Sequence, residues 1–246
     1  MFQNLTPITR NIIFINIGLF ILSQIVPSLK DLLSAYFPLS PNFYTWQIIS
    51  HMFMHGGVLH LLFNMLTLAS FGVVLENFLR EKRFLILYFA SGLGAFTLYN
   101  IWYAYDIFAL VNQLNELGED VNKIVRMSAL NYSGSLSMNF KTAEGKVLAE
   151  HLLMALNGRM VGASGAIFGI VSAFSTLFPN ARMMFMFIPF PIKAKYLFPI
   201  IILGSLYLGL SNNMDNIAHF AHIGGAIVGF ILAKIWGRKL NQWSIG

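Results

Sequence analysis

Apolar residues along this chain do not alternate with polar ones but gather into long runs, separated by short clusters of Pro, Gly and charged residues. Runs close to the ~20 residues that cross a bilayer as a helix fall at about 11–26, 58–78, 84–105, 161–178, 196–211 and 217–236. The pattern predicts six transmembrane helices, the first and fifth of them short. The first run is expected to stay on the chain, because only Arg10 precedes it and "SQIVPS" lacks the small-residue pattern of a signal-peptide cleavage site.

One stretch departs from this rhythm. Residues 106–159, between the third and fourth runs, are polar and mildly acidic. Within them 107–130 has apolar positions at helical spacing, 142–156 predicts a second helix, and "NYSGSLSMNFK" between them predicts a turn or loop. Glu116, Glu119, Asp120 and Lys123 make a further span too costly in hydrocarbon. With no internal repeat, 1–246 forms one all-α polytopic domain carrying an extramembrane insertion at 106–159. Long loops of this kind often act as lids or binding elements, so the insertion is expected to cover the site or select its ligand without entering the chemistry.

Composition agrees with the pattern. Hydrophobic residues make up 57% and charged ones 11%, far from the roughly one quarter charged of soluble proteins, and the mean hydropathy is +0.66. With the N-terminus in the cytoplasm, the inner segments hold Arg10, Arg80, Lys82, Arg83, Arg182, Lys193, Lys195, Lys234, Arg238 and Lys239, opposed only by Glu76 and Glu81. The outer segments hold Lys30, Lys123, Arg126, Lys141, Lys146 and Arg159 against eight carboxylates, which fits the positive-inside rule. The basic excess thus flanks membrane segments, and no nucleic-acid partner is implied. The absence of cysteine excludes disulfides and thiolate chemistry.

Polar groups inside three of the runs change the picture. The second run carries "HMFMHGGVLHLLFNM" with His51, His55, His60 and Asn64; the fourth opens on "GASGAIFG" with Ser164; the sixth carries "NIAHFAHIGGAIVGF" with His219 and His222. Such residues are expensive in hydrocarbon and usually face a bundle interior or a wet cavity, so one shared site is expected. A metal site fits poorly. His51 and His55 have H-x-x-x-H spacing, but the position where a zinc protease needs its general-base Glu is Met52. No metal or other cofactor is expected, and "GLGAF" at 92–96 lies inside a span and is no nucleotide loop.

A structural reading of the fourth run is available, since Gly165, Gly169 and Ser172 could simply form a helix-packing face. A chemical reading uses more of the residues. Ser164 could be a nucleophile and His222 the base that takes its proton. An oxyanion could be bound by backbone N–H groups where the fourth helix begins, at Ala163, and by His60 and Asn64 one turn apart on the second. Gly162 and Gly165 keep the surroundings of Ser164 open, and Gly225 and Gly229 let the sixth helix press on the fourth.

Taken in order, "HMFMHGGVLHLLFN", "GASGAIFG" and "AHIGGAIVG" resemble the motifs of the rhomboid family of intramembrane serine proteases. The resemblance implies a Ser164–His222 dyad without a third carboxylate or a metal, with His60 and Asn64 helping to bind the oxyanion. Of the two candidate bases, the family's Ala-His, two residues, then Gly is met by Ala221-His222 with Gly225 and not by Ala218-His219. His219 is then a hydrogen-bonding or water-facing residue near the outer boundary.

The chain departs from the family in three places. Gln47 follows Trp46 where Arg is common, Phe168 stands where Tyr commonly meets the imidazole, and the 106–159 insertion exceeds the minimal core. His51 and His55 are expected to order the outer loop, Trp46 to anchor at the interface, and 181–195, broken by Pro189 and Pro191, to form an interfacial cytoplasmic loop. The resemblance implies hydrolysis of peptide bonds in or near transmembrane segments of single-span or polytopic membrane proteins, in a bacterial inner membrane, with the site opening away from the cytoplasm. The alternatives are a rhomboid-like factor that binds or escorts membrane proteins without cutting them, and a transporter using the buried histidines.

Overall fold

The computed structural model describes residues 5–134, 139–183, 191–210 and 218–243. Helix α1 (Pro7–Ile25) and the short α2 (Ser28–Leu33) lead to an extended outer segment. That segment carries α3 (Gln47–Ser50) and a 3-10 turn (His51–Phe53). The second span comprises α4 (Val58–Thr67), a π-helical stretch (Leu68–Gly72) and the start of α5 (Val73–Glu116), which breaks at Arg80 (φ 69°, ψ 160°) and continues as the third span. Then follow α6 (Val121–Met127), α7 (Ala143–Asn157), α8 (Ser164–Leu177), α9 (Ala194–Leu210) and α10 (Ala218–Trp243). A two-residue hairpin, Arg182–Met183 against Ile192–Lys193, closes the connection from α8 to α9. Pro189 and Asp215 lie outside the described residues.

The architecture is the expected all-α polytopic bundle. Its helices turn large apolar side chains outward, among them Phe14, Ile15, Leu59, Ile101, Ile227 and Phe230, as a protein solvated by lipid does. α8 is central, with nine of its fourteen residues buried. The principal core joins Ile12, Leu75, Phe84, Tyr88, Ile167 and Phe174 from α1, α5 and α8.

Two boundaries differ from expectation. Residues 107–130 do not form a helix of their own: the third-span helix runs on to Glu116 and stops at Gly118, whose φ is +69°. The apolar positions Ile107 and Leu114 stay in register with the span below, so the helix continues out of the membrane segment instead of restarting. The second predicted helix is α7, its start fixed by Thr142, whose hydroxyl accepts from the Gly145 N–H at 2.8 Å. α6 and α7 fold back on the α5 extension around their own core of Ile107, Leu114, Ile124, Ala149 and Leu152, joined by Phe37 from the outer segment.

The insertion is tied to that outer segment. Ser40 Oγ donates to Leu156 O at 2.8 Å, and Asn42 Nδ2 donates to Ser128 O at 2.9 Å and to Asn157 Oδ1 at 3.1 Å. The Leu130 N–H donates back to Asn42 Oδ1 at 2.9 Å. These bonds fasten α6 and α7 to residues 37–42 as one outer layer.

At the opposite end a carboxylate caps a helix from a distance. No side chain of α1's own caps its N-terminus, where the first backbone donors lack helical partners. Glu76, 3% exposed, supplies them: it accepts from the N–H groups of Ile8 (2.9 Å) and Thr9 (2.8 Å) and from the hydroxyls of Thr9 (2.8 Å) and Thr6 (2.5 Å). The negative charge also sits at the positive end of the helix dipole. Charge-assisted hydrogen bonds contribute about 1.5–3 kcal/mol each, and these four share one carboxylate. Glu76→Ala is therefore expected to cost about 2–4 kcal/mol, read as a lowered unfolding midpoint in detergent. Glu76→Gln, which keeps one acceptor oxygen, should fall between, and equal midpoints for all three proteins would refute the capping role.

Candidate active site

The chain reaches α8 through 158–163, a segment held by the outer loop. Met160 pairs with Ala35 through two backbone bonds (3.0 and 2.8 Å), and the Gly162 N–H donates to His51 O at 2.9 Å. Gly162 has a φ of +120°, where an L side chain is strained, and a Cβ there would lie 2.9–3.0 Å from the His60 ring and 3.6 Å from Ser164 Oγ. Only glycine fits both the backbone and the space. Ala163 follows, fully buried, and α8 begins at Ser164 with no side-chain cap on its first N–H groups.

Ser164 Oγ lies 3.0 Å from His222 Nε2. For Nε2 to accept, the ring proton must sit on Nδ1. The imidazole lies flat on Phe168, with centroids 4.1 Å apart and planes at 4°, so packing fixes the ring plane without a hydroxyl. His219 meets the same ring edge-on at 6.1 Å; its Nδ1 is buried without a hydrogen-bond partner, and the hydrogen bond to Ser164 belongs to His222.

Helix contact sets the separation of these two side chains. A Cβ on Gly225 would run into the carbonyl oxygen of Gly165, and one on Gly229 into that of Gly169. α10 therefore touches α8 backbone to backbone. On the other side of α10, a Cβ on Gly94 of α5 would lie 3.0 Å from Gly224 O, and Ser91 and Ala95 of α5 fill the space left by Gly169 and Gly165. α8 and α10 thus meet backbone to backbone, with only small side chains of α5 packed against them, and Ser164 and His222 project from the end of that contact.

α4 brings the remaining groups. The His60 ring stands beside Gly162 and contacts His55 edge-on at 5.1 Å. Asn64, one turn further on, is 6% exposed, and its Nδ2 has no hydrogen-bond partner. The structure thus brings Ser164, His222, Phe168, Gly162 and His60 into one site, with Asn64 on the adjoining turn of α4. Among the described residues, no group of three or more His, Asp or Glu side chains is arranged to hold a metal.

The outer loop is organised by residues whose importance the sequence did not disclose. Gln47, next to Trp46, is fully buried. Its Oε1 accepts from the Tyr44 N–H (3.1 Å) and the Tyr36 N–H (3.4 Å), and its Nε2 faces the carbonyls of Leu32 and Asn42 at 3.3 Å. Its own carbonyl accepts from the ring Nδ1 of His51 at 2.8 Å. A continuous path therefore runs from Gln47 through His51 to the Gly162 N–H. Trp46 stacks on Tyr44 at 4.5 Å and donates through Nε1 to Leu32 O at 2.9 Å, so it fastens the loop while its ring stays 47% exposed. Met52 is buried against Gly92, where a Cβ would strike its sulfur. Nothing in the periodicity marks Gln47 or Met52, because both act through tertiary contacts.

Burial lowers the His51 imidazole to about 4, and in the unfolded chain it titrates near 6.5. The unfolded state thus binds the extra proton over that interval, so stability is full above pH 6.5 and falls as pH drops towards 4, by up to roughly 3 kcal/mol for this group. Unfolding midpoints across this range should show the fall, and His51→Asn should flatten it; an unchanged slope would contradict the assignment. Gly225→Ala should cost about 1–3 kcal/mol by overpacking. Ile227→Ala, facing lipid on the same helix at 50% exposure, should cost less, and a reversed order would rule out the close contact.

A family model described as Rhomboid domain matches residues 42–110 and 129–239, leaving out the end of α5 and the whole of α6. The chain is 26% identical to "Rhomboid protein 1, mitochondrial" of Saccharomyces cerevisiae over 94% of its own length and 56% of the relative's. It is 27% identical to "RHOMBOID-like protein 4" of Arabidopsis thaliana, over 77% of the chain and 34% of the relative. It is also 27% identical to "Rhomboid protease AarA" of Providencia stuartii, over 76% of the chain and 54% of the relative. The chain thus spans about half the length, or less, of these relatives.

Proposed function

Because the chain belongs to the rhomboid family, we propose that it is an intramembrane serine protease that cuts membrane-anchored proteins in or near their transmembrane segments through a Ser164–His222 dyad. The observation that carries this reading is the 3.0 Å bond between a hydroxyl on α8 and an imidazole on α10. As Oγ attacks the scissile carbonyl carbon, Nε2 takes its proton. The same proton then passes to the leaving amine, and water repeats the sequence on the acyl-enzyme. The oxyanion would meet the uncapped N–H groups at the start of α8, the His60 ring and the unpartnered Asn64 Nδ2.

The length of α8 supports a site below the membrane surface. Fourteen residues make a helix of about 21 Å against a hydrocarbon core of ~30 Å. Irregular backbone at such depth is tolerated beside a water-filled cavity, which would supply the water. A substrate helix must open locally there, since a helical amide is hydrogen-bonded and shielded. The distribution of Lys and Arg supports a cytoplasmic N-terminus with the site opening on the other side, and a bacterial inner membrane is the compartment we propose.

Purified protein incubated with a panel of single-span substrates tests the reading. Ser164→Ala and His222→Ala should each abolish cleavage, and their losses should not add, since the pair acts as a unit. His219→Ala should retain most activity. Asn64→Ala should lower kcat by about a hundredfold with little change in KM. Cleavage that survives Ser164→Ala would eliminate the serine mechanism, and a folded wild type that binds the panel without cutting it would favour an escort function.

A further inference from the structure

On the segment that leads into α8 lies a cavity of about 240 Å³, lined by Lys30, Ser34, Met54, His55, Arg159 and Val161. Three separate pieces of chain build it: the end of α2, the loop after the 3-10 turn, and the segment that leads into α8. The paired backbones of Ala35 and Met160 hold the first and third together. Arg159 and Val161, two apart on extended chain, face the same side, and both line the cavity.

Its polar groups are unbalanced. Arg159 pairs with Asp31, whose carboxylate also accepts from the Tyr36 hydroxyl at 3.3 Å. Lys30 forms no ion pair among the described residues. Two cations therefore face one carboxylate. His55 is 3% exposed, yet neither ring nitrogen has a hydrogen-bond partner. A buried imidazole left in that state costs stability unless something else binds it. Met54 and Val161 supply apolar walls, so the space suits a short hydrocarbon stem that ends in an anion.

Position connects the cavity to the chemistry. Val161 and Arg159 precede Ser164 by three and five residues, and His55 meets the His60 ring, which stands beside Gly162, edge-on at 5.1 Å. On the proteolytic reading given above, a substrate extended away from Ser164 reaches the cavity with a side chain three to five residues from the bond being cut. We infer that the cavity takes the carboxylate of a substrate Asp or Glu at that distance. Lys30 and Arg159 provide the charge, His55 an N–H donor, and the protein prefers membrane proteins with an acidic residue three to five positions from the cleavage site.

Single-span substrates that differ only by Glu, Gln or Lys at each position three to five residues on either side of the cut provide the test, with the intact protein in liposomes of neutral lipid. For wild type, Glu→Gln at one of these positions should lower kcat/KM about tenfold, chiefly through KM. Lys30→Gln should reduce that preference to less than about twofold, and Lys30→Glu should reverse it in favour of the Lys substrate. Arg159→Lys, which keeps the charge, should preserve it. Labelling of Ser164 by a fluorophosphonate reports the dyad separately and should be equal in all variants. Equal cleavage of Glu and Gln substrates by a wild type that labels normally would overturn the carboxylate site while leaving the protease reading intact. Failure to label or cut at all would count against both. If Lys30→Gln instead changed all substrates alike, and only in liposomes of anionic lipid, the cavity would hold a lipid phosphate and the inference would be wrong.

Discussion

The contact between α8 and α10 is the constraint on which the rest of the site depends. Lipid offers no hydrophobic force to drive helices together, so close association relies on small residues that let backbones touch. Gly165, Gly169, Gly225 and Gly229 supply such a seam, and Gly94 and Gly224 extend it to α5. The consequence is geometric. A hydrogen bond between side chains on two helices weakens steeply beyond ordinary donor–acceptor distances, and here the helices are as close as backbones can come. Ser164 and His222 thus inherit their 3.0 Å separation from positions that carry no chemistry.

Such a seam fixes one distance but not the ends of the bundle. The Glu76 network ties the start of α1 to the second span at one end. At the other, Gln47, His51 and Gly162 form a relay of hydrogen bonds from the outer loop to the doorway of α8. The insertion adds a second layer outside this relay. Its helices have their own core and reach residues 37–42 through Ser40 and Asn42, so the loop is held from both sides. Conformational freedom is thereby removed from the segment that leads into Ser164, so the groups around it are held in place by the fold itself.

Much of this was legible in the sequence because it rests on local properties. Run length gave the spans, and the small residues of 162–165 and 225–229 gave the helix contact. What escaped depends on neighbours distant in the chain. Gln47 read as a missing arginine, yet its amide has both an acceptor and donors and satisfies backbone groups that a guanidinium, having only donors, could satisfy only in part. Glu76 read as a lone carboxylate at a span end; its partners lie some seventy positions away. The limit of α5 escaped for the opposite reason. Its apolar repeat continues past the membrane segment, so periodicity could not mark where lipid ends and the insertion begins.

The polar atoms that remain unsatisfied show where this economy is suspended. Buried polar groups in folded proteins are nearly always hydrogen-bonded, and the outer loop follows the rule closely through Gln47, Asn42 and Trp46. Asn64 Nδ2 and both nitrogens of His55 break it within the same neighbourhood. Ser91, Ser172, Ser175 and Tyr88 also have unpartnered hydroxyls, as do Asn16 Oδ1, Asn100 Oδ1 and His219 Nδ1 lack partners, so an unpaired atom does not by itself mark a site; what distinguishes Asn64 and His55 is their position. Both stand on the two sides of His60, one turn along α4 in one direction and edge-on to its ring in the other. Two such deficits on either side of one ring mark this end of α4 and the loop before it as the place where the fold leaves polar groups free beside Ser164 and His222.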